Sequence, residues 1–149
     1  MKQFLTIVLA ACVVFLGCGY GADAKPVRFR TIAKGGFSGI AVAQESIIKD
    51  QDAWAMLWKR HKLDRTREGG IPEIDFTREM VAVVTMGRQR TGGYAVEIVR
   101  VEAMADRLRI HVRRRTPPPG DMTIQALTAP FHFAALPKSE ANVEFVTSR

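Results

Sequence analysis

Three histidines and one turn serine are the side chains whose chemistry could serve catalysis. His61, His111 and His132 are far apart in the sequence, and none has a metal-ligand spacing such as His-x-x-x-His. Ser38 stands in Gly36-Phe37-Ser38-Gly39, which lacks the spacing of a Gly-x-Ser-x-Gly nucleophile turn. The sequence therefore predicts a non-enzymatic protein with no catalytic residue, no metal ligand and no cofactor. A small hydrolase is an alternative, and it requires a concave pocket in which a histidine lies within hydrogen-bonding reach of Ser38 or of a carboxylate.

The amino-terminal residues have the pattern of an export signal. Residues 4–16 form an almost wholly apolar run that is too short to span a bilayer. Ala22-Asp23-Ala24 is a site for ordinary cleavage, whereas Phe15-Leu16-Gly17-Cys18 resembles a bacterial lipobox, although such sites usually carry leucine where Phe15 stands. We expect residues 1–24 to be a signal peptide, with lipidation at Cys18 slightly favoured over cleavage after Ala24.

The chain beyond the leader has the composition of one folded domain. The full sequence has 149 residues, of which 47% are hydrophobic and 25% charged, so wholesale disorder is excluded. Both cysteines fall within the leader, and the domain over residues 25–149 therefore has no disulfide to stabilise it. We expect this domain in the periplasm, or anchored as a lipoprotein to a membrane of the bacterial envelope. The sequence does not indicate its oligomeric state.

The hydrophobic patterns predict an α+β fold: a β-rich single domain with antiparallel sheets of six or seven strands, packed with one amphipathic helix. The helix is predicted over residues 50–62, with Asp50 as its cap and Trp54, Leu57, Trp58 and His61 on one face. The unbroken apolar run over residues 80–86 indicates a buried central strand. Further strands are predicted over residues 27–33, 40–48, 94–103, 107–113, 131–136 and 143–147, with a short one over 124–127. In the strand over 94–103 the alternation slips at Val99 and Val101, which indicates a bulge or burial on both faces.

Positive charge is unevenly distributed along the chain. The formal net charge is +7, and residues 88–115 contain eight arginines against Glu97, Glu102 and Asp106. One strand face and its continuation form a predicted basic patch of Arg109, His111, Arg113, Arg114 and Arg115. This patch could attach the protein to anionic lipid or glycan, or its arginines could pair with carboxylates on neighbouring strands. Nucleic acid is not a predicted partner, because the protein is exported and no aromatic residues are interleaved with these arginines.

The segment 87–94 is predicted to be a hairpin turn that contacts a partner. Gly87, Gly92 and Gly93 would form the loop, and a strand rather than a helix follows it, so a hairpin turn is favoured over a phosphate-binding loop. The side chains expected to bind the partner, another envelope protein, are Arg88, Arg90, Thr91 and Tyr94.

Several short motifs together resemble a known family. They are Gly87, Thr91-Gly92-Gly93-Tyr94, Pro117-Pro118-Pro119-Gly120 and Gln125-x-x-Thr128-x-Pro130-Phe131. These motifs are similar to the C-terminal domain of the protease-complex subunit PrcB family. Ser38-Gly39-Ile40, the helix with Trp54 and Trp58, and Asp75-Phe76 also look like its upstream part, so the resemblance extends over nearly all of residues 37–146. Gln89 departs from the pattern, since the family usually has a basic residue there.

The resemblance implies a bacterial envelope protein, often a lipoprotein, that supports a protease complex without cleaving anything itself. Many members have no known protease partner. The expected function is therefore that of an accessory, protein-binding domain, and the partner protein, a protease or another envelope protein, is left open.

Overall fold

The computed structural model describes residues 24–62 and 70–148, which contain eight strands and one helix. The chain begins with β1 (Lys25–Pro26), β2 (Arg30–Gly35) and β3 (Ala43–Ile48), followed by helix α1 (Gln51–Lys62). The remaining strands are β4 (Glu79–Met86), β5 (Ala95–Ala103), β6 (Arg107–Arg115), β7 (Phe131–Pro137) and β8 (Asn142–Ser148). The β-rich class and the single helix are confirmed, with eight strands in place of six or seven. Cys18 and the leader before residue 24 lie outside the described residues.

The strands form two four-stranded sheets. The central sheet has the order β2-β7-β4-β3, and the outer sheet has the order β1-β5-β6-β8. All pairs are antiparallel except β6 and β8, which are parallel. The expectation of wholly antiparallel sheets is therefore wrong for this pair. Its cause is that β7 crosses to the central sheet before the chain returns as β8, and such a crossover is what parallel neighbours require.

The central sheet is buried on both faces, which explains the apolar run in β4. Alternate residues Met80, Ala82 and Val84 pack against the outer sheet, whereas Val81 and Val83 pack against the helix. The side chains of β7 alternate between the two faces in the same way, and Phe131 and Phe133 pack against α1. The domain is thus three layers deep, with helix, central sheet and outer sheet in that order.

Helix α1 forms as its sequence predicts. The Ala53 amide donates a hydrogen bond of 2.8 Å to the Asp50 carboxylate, which caps the first turn. Trp54, Leu57 and Trp58 are buried against the central sheet. Within the described ranges no helix is long and apolar enough to cross a bilayer.

Two local predictions are wrong and one is confirmed. The segment 87–94 is not a hairpin, because β4 lies in the central sheet and β5 in the outer sheet, so the segment connects the two. Residues 124–127 form no strand, and Thr128 makes only an isolated bridge to Gln89. The predicted bulge is present, since the pairing of β5 with β6 shifts between Ile98 and Arg100.

Candidate functional site

Three connecting segments meet at one end of the domain and are joined by backbone hydrogen bonds. We call residues 36–42, 87–94 and 116–130 the loop end. The Arg88 amide donates to the Ala41 carbonyl at 2.9 Å, and the Ala129 amide donates to the Gly36 carbonyl at 2.8 Å. Gln89 and Thr128 exchange backbone hydrogen bonds of 2.7 and 3.0 Å. The loop end is therefore a continuous, internally bonded unit.

Glycines allow these segments to approach closely. Gly87 has a φ of 70°, and a Cβ at this position would lie 2.7 Å from the backbone nitrogen of Ala43. A Cβ on Gly92 would lie 2.5 Å from Cγ1 of Ile124, and the Gly92 amide donates to the Ile124 carbonyl. Gly93, with a φ of 85°, packs against Pro117. A side chain at any of these three positions would therefore meet a neighbouring segment, through backbone atoms at Gly87 and through side chains at Gly92 and Gly93.

Thr128 fastens the segment 116–130 to the segment 87–94 with its side chain. Its buried hydroxyl donates a hydrogen bond of 2.7 Å to the Thr91 carbonyl. The hydroxyl of Thr91 itself contacts the adjoining Gly92 carbonyl at 3.2 Å. The family-like residues Thr91, Gly92 and Thr128 therefore all act on the conformation of the loop end.

Thr128→Val should lower the free energy of unfolding by about 1 to 2 kcal/mol, because it removes a buried hydrogen bond at nearly constant volume. Urea titration measures this change. Thr123→Val is the matched control, since the Thr123 hydroxyl makes no hydrogen bond within the described residues, and its loss should stay within about 0.5 kcal/mol. Equal losses in the two variants would contradict the role assigned to Thr128.

Large apolar side chains are exposed on the same end. Val42, Ile124 and Leu127 are each more than half exposed, and Met122 is fully exposed. Sequence reasoning missed this surface, because Val42 was assigned to the strand over residues 40–48 and Ile124 and Leu127 to a short strand over 124–127. Exposed apolar residues on rigid loops are typical of a surface that binds another macromolecule.

The predicted partner-binding residues differ in accessibility. Arg88 and Arg90 are exposed, whereas Thr91 and Tyr94 are half-buried. The side chain of Gln89, at the position that departs from the family pattern, donates to the Met86 carbonyl at 3.0 Å and is thereby turned inward. The two arginines are therefore the best placed of these side chains to contact a partner.

Most of the predicted basic patch is paired with carboxylates. Arg109 contacts Glu144 at 3.1 Å, His111 contacts Glu102 at 2.7 Å and Arg113 contacts Glu97 at 2.8 Å. Arg114 is likewise bonded to Glu45, whereas Arg115 forms no ion pair with any described residue. Hydrogen bonds from Lys34 and then Arg113 lower the pKa of Glu97 to about 2. The structure thus favours the pairing interpretation of this face over an open cationic surface.

The hydrolase alternative predicts a histidine within hydrogen-bonding reach of Ser38. The structure has such a histidine, but the Ser38 hydroxyl is not accessible to a substrate. Nδ1 of His61 lies 2.9 Å from the Ser38 hydroxyl. Ser38 is only 8% exposed, its hydroxyl oxygen accepts the Ile40 amide, and it does not line the 160 Å³ cavity beside His61. The Gly39 amide also donates to the His61 carbonyl, so this contact joins the end of α1 to the segment 36–42. This geometry favours a structural link.

His132 is a buried hydrogen-bonded link between the two sheets. Its Nδ1 accepts the Ile98 amide at 2.8 Å, at the bulge of β5, and its Nε2 lies 2.9 Å from the Thr31 hydroxyl. Because Nδ1 accepts, the neutral ring must carry its proton on Nε2 and donate it to Thr31. Burial, and secondarily the charge of Lys34, lower the pKa of His132 to about 4.

Comparison with known proteins gave one family match, and the matched residues include most of the loop end. Residues 80–137 match the family described as PrcB C-terminal. The matched segment begins in β4 and ends with β7, so it includes both of the family-like loops. The resemblance predicted from sequence over residues 37–79 and 138–146 lies outside this match. Searches of curated proteins and of solved structures gave no significant match.

Proposed function

We propose that this chain is an exported, non-catalytic domain of the bacterial envelope that binds another protein through its loop end. The observation that carries the proposal is the exposure of large apolar side chains on loops that are fixed to one another. Burial of such side chains against a partner would stabilise a complex by removing them from water. Loops already held by hydrogen bonds would lose little conformational entropy on binding.

The envelope location rests on the leader and on the PrcB resemblance. A lipid on Cys18, the favoured processing route, would hold the domain at a membrane surface without a spanning segment. The family-like residues cluster at the loop end, so the family resemblance and the exposed surface coincide there. A protease complex of the same compartment is the partner that the resemblance suggests.

The other two interpretations have less support. Attachment to anionic lipid or glycan through the basic patch would require free cations, yet four of its five side chains contact carboxylates. Hydrolysis would require an accessible nucleophile, and the Ser38 hydroxyl is buried.

Site-specific photo-cross-linking in the native envelope tests the proposed surface. A photo-reactive residue at Leu127, which is 62% exposed, should give a discrete cross-linked species. Met56 on α1 is 65% exposed and offers a matched apolar control away from the loop end, where we expect no such species. Identical products from the two positions, or no product from Leu127, would refute the proposal.

A further inference from the structure

The unpaired arginines of residues 88–115 lie in the loop end or next to it in the sequence. Five of the eight arginines in this stretch contact carboxylates, and these are Arg100, Arg107, Arg109, Arg113 and Arg114. The other three, Arg88, Arg90 and Arg115, form no ion pair within the described part of the chain. We call these three residues the arginine trio. Its charge is uncompensated, whereas that of the strand face is largely neutralised.

The arginine trio lies beside the exposed apolar residues. Arg88 and Arg90 belong to the segment 87–94, and Arg115 pairs in the sheet with Ala95, the residue that follows this segment. All three side chains are exposed. Among residues 36–42, 87–94 and 116–130 the sequence contains one acidic residue, Asp121, and no lysine. The loop end therefore combines apolar side chains with a net positive charge.

We infer that the loop end recognises an acidic protein segment that also carries apolar side chains. This inference rests on the proposed function and adds the chemical class of the partner. Carboxylates of such a segment would accept charge-assisted, bidentate hydrogen bonds from the arginine trio. Its apolar side chains would cover Ile124, Leu127 and their exposed neighbours. Arginine and methionine together with few lysines are the composition that protein interfaces favour.

Binding should depend on ionic strength, because the arginine trio is exposed and the screening length shortens from about 8 Å at physiological salt to about 3 Å at 1 M salt. The apolar contacts are not screened, so part of the affinity should persist in high salt. A partner held by apolar contact alone would show no such dependence.

Defined peptides test the inference with the full chain. Three fluorescent peptides of equal length, one alternating leucine and glutamate, one leucine and lysine, and one serine and glutamate, are titrated with the protein and followed by anisotropy. We expect the leucine–glutamate peptide to bind best. The variant Arg88→Gln/Arg90→Gln/Arg115→Gln should bind it about tenfold more weakly, as expected for the loss of three exposed charge contacts.

A control at the opposite end of the domain separates local recognition from net charge. Lys25→Gln/Arg28→Gln/Arg78→Gln removes the same charge from exposed side chains that form no ion pair among the described residues. We expect this variant to bind like the parent. Equal loss in both variants, no binding of the leucine–glutamate peptide, or tighter binding to anionic phospholipid vesicles than to that peptide would overturn the inference. If Leu127 still cross-links to a partner in the envelope, the proposed function survives that failure.

Discussion

Between about pH 7 and pH 4 the protein should lose about 3 kcal/mol of folding stability through His132 alone. The ordinary pKa of histidine is 6.5, and burial lowers that of His132 to about 4 in the folded state. Well above pH 6.5 the histidine is neutral in both the folded and the unfolded state, and it adds no pH dependence. Below pH 6.5 His132 binds a proton in the unfolded chain but not in the folded chain. The free energy of unfolding therefore falls until the pH reaches the pKa of His132 in the folded state.

His132→Asn should remove this pH dependence. The asparagine side-chain oxygen can replace Nδ1 as the acceptor of the Ile98 amide, and it does not titrate. At neutral pH the variant should be less stable, because the Thr31 contact and part of the packing are lost. The difference in unfolding free energy between the parent and the variant should therefore shrink by about 3 kcal/mol from pH 7 to pH 4.

Urea titrations at a series of pH values measure this difference. Thr31→Val is the control, because it removes a hydrogen-bond partner of His132 but keeps the titrating ring, so its curve should parallel that of the parent. Glu97 also contributes, since its pKa falls from 4.5 to about 2, so its stabilisation is lost between about pH 4.5 and pH 2 and overlaps the His132 range only at its acid end. This loss is common to the parent and His132→Asn and cancels in their difference. Parallel curves for the parent and His132→Asn would contradict the assignment.

The layers of the fold were readable from local patterns. The unbroken apolar run over residues 80–86 predicts burial on both faces, and β4 has this burial between helix and outer sheet. The alternation of Leu108, Ile110 and Val112 predicts one buried face, and all three are buried in β6. Each of these signals depends only on the period of side chains along one strand.

Local patterns along the sequence do not determine which of the two sheets each strand joins. Gly87 and Gly93 adopt positive φ in a crossing between sheets, and the same glycines would suit a hairpin. The choice depends on distant partners, because β4 pairs with β3 and β7 rather than with β5. The charge of the strand face was overestimated for a related reason. Glu144 reaches Arg109 only through the parallel pairing of β6 with β8, a register that local periodicity does not encode.

The sequence predicted one part of the candidate site and gave a wrong interpretation of another part. The segment 87–94 and its arginines were singled out from glycine spacing and charge, and they do lie on an exposed end. Ile124 and Leu127 were misinterpreted because exposed and buried apolar residues look alike in a single sequence. The segment 116–130 bonds to the segment 87–94 through Gln89 and Gly92, and in this arrangement Ile124 and Leu127 are exposed.

Gly87→Ala should be the most damaging single substitution in the loop end, lowering the free energy of unfolding by about 3 kcal/mol. Part of this loss is the strain of an alanine at a φ of 70°. The rest is steric, because the new Cβ would lie 2.7 Å from the Ala43 nitrogen and 2.9 Å from the Ala41 oxygen. Both contacts are to backbone, which cannot move aside as a flexible side chain does.

Two further glycines separate these causes. Gly120 has a φ of 86° but open space around its Cβ position, so Gly120→Ala should show strain alone, about 1 kcal/mol. Gly36 has neither a positive φ nor a neighbour within 4 Å, and Gly36→Ala should be close to neutral. Urea titration of the three variants should rank Gly87→Ala well above Gly120→Ala, because only Gly87 combines both causes. Equal losses at Gly87 and Gly120 would mean that the segments 36–42 and 87–94 are not in close contact. In that case the rigid surface on which the proposed protein binding depends would be absent.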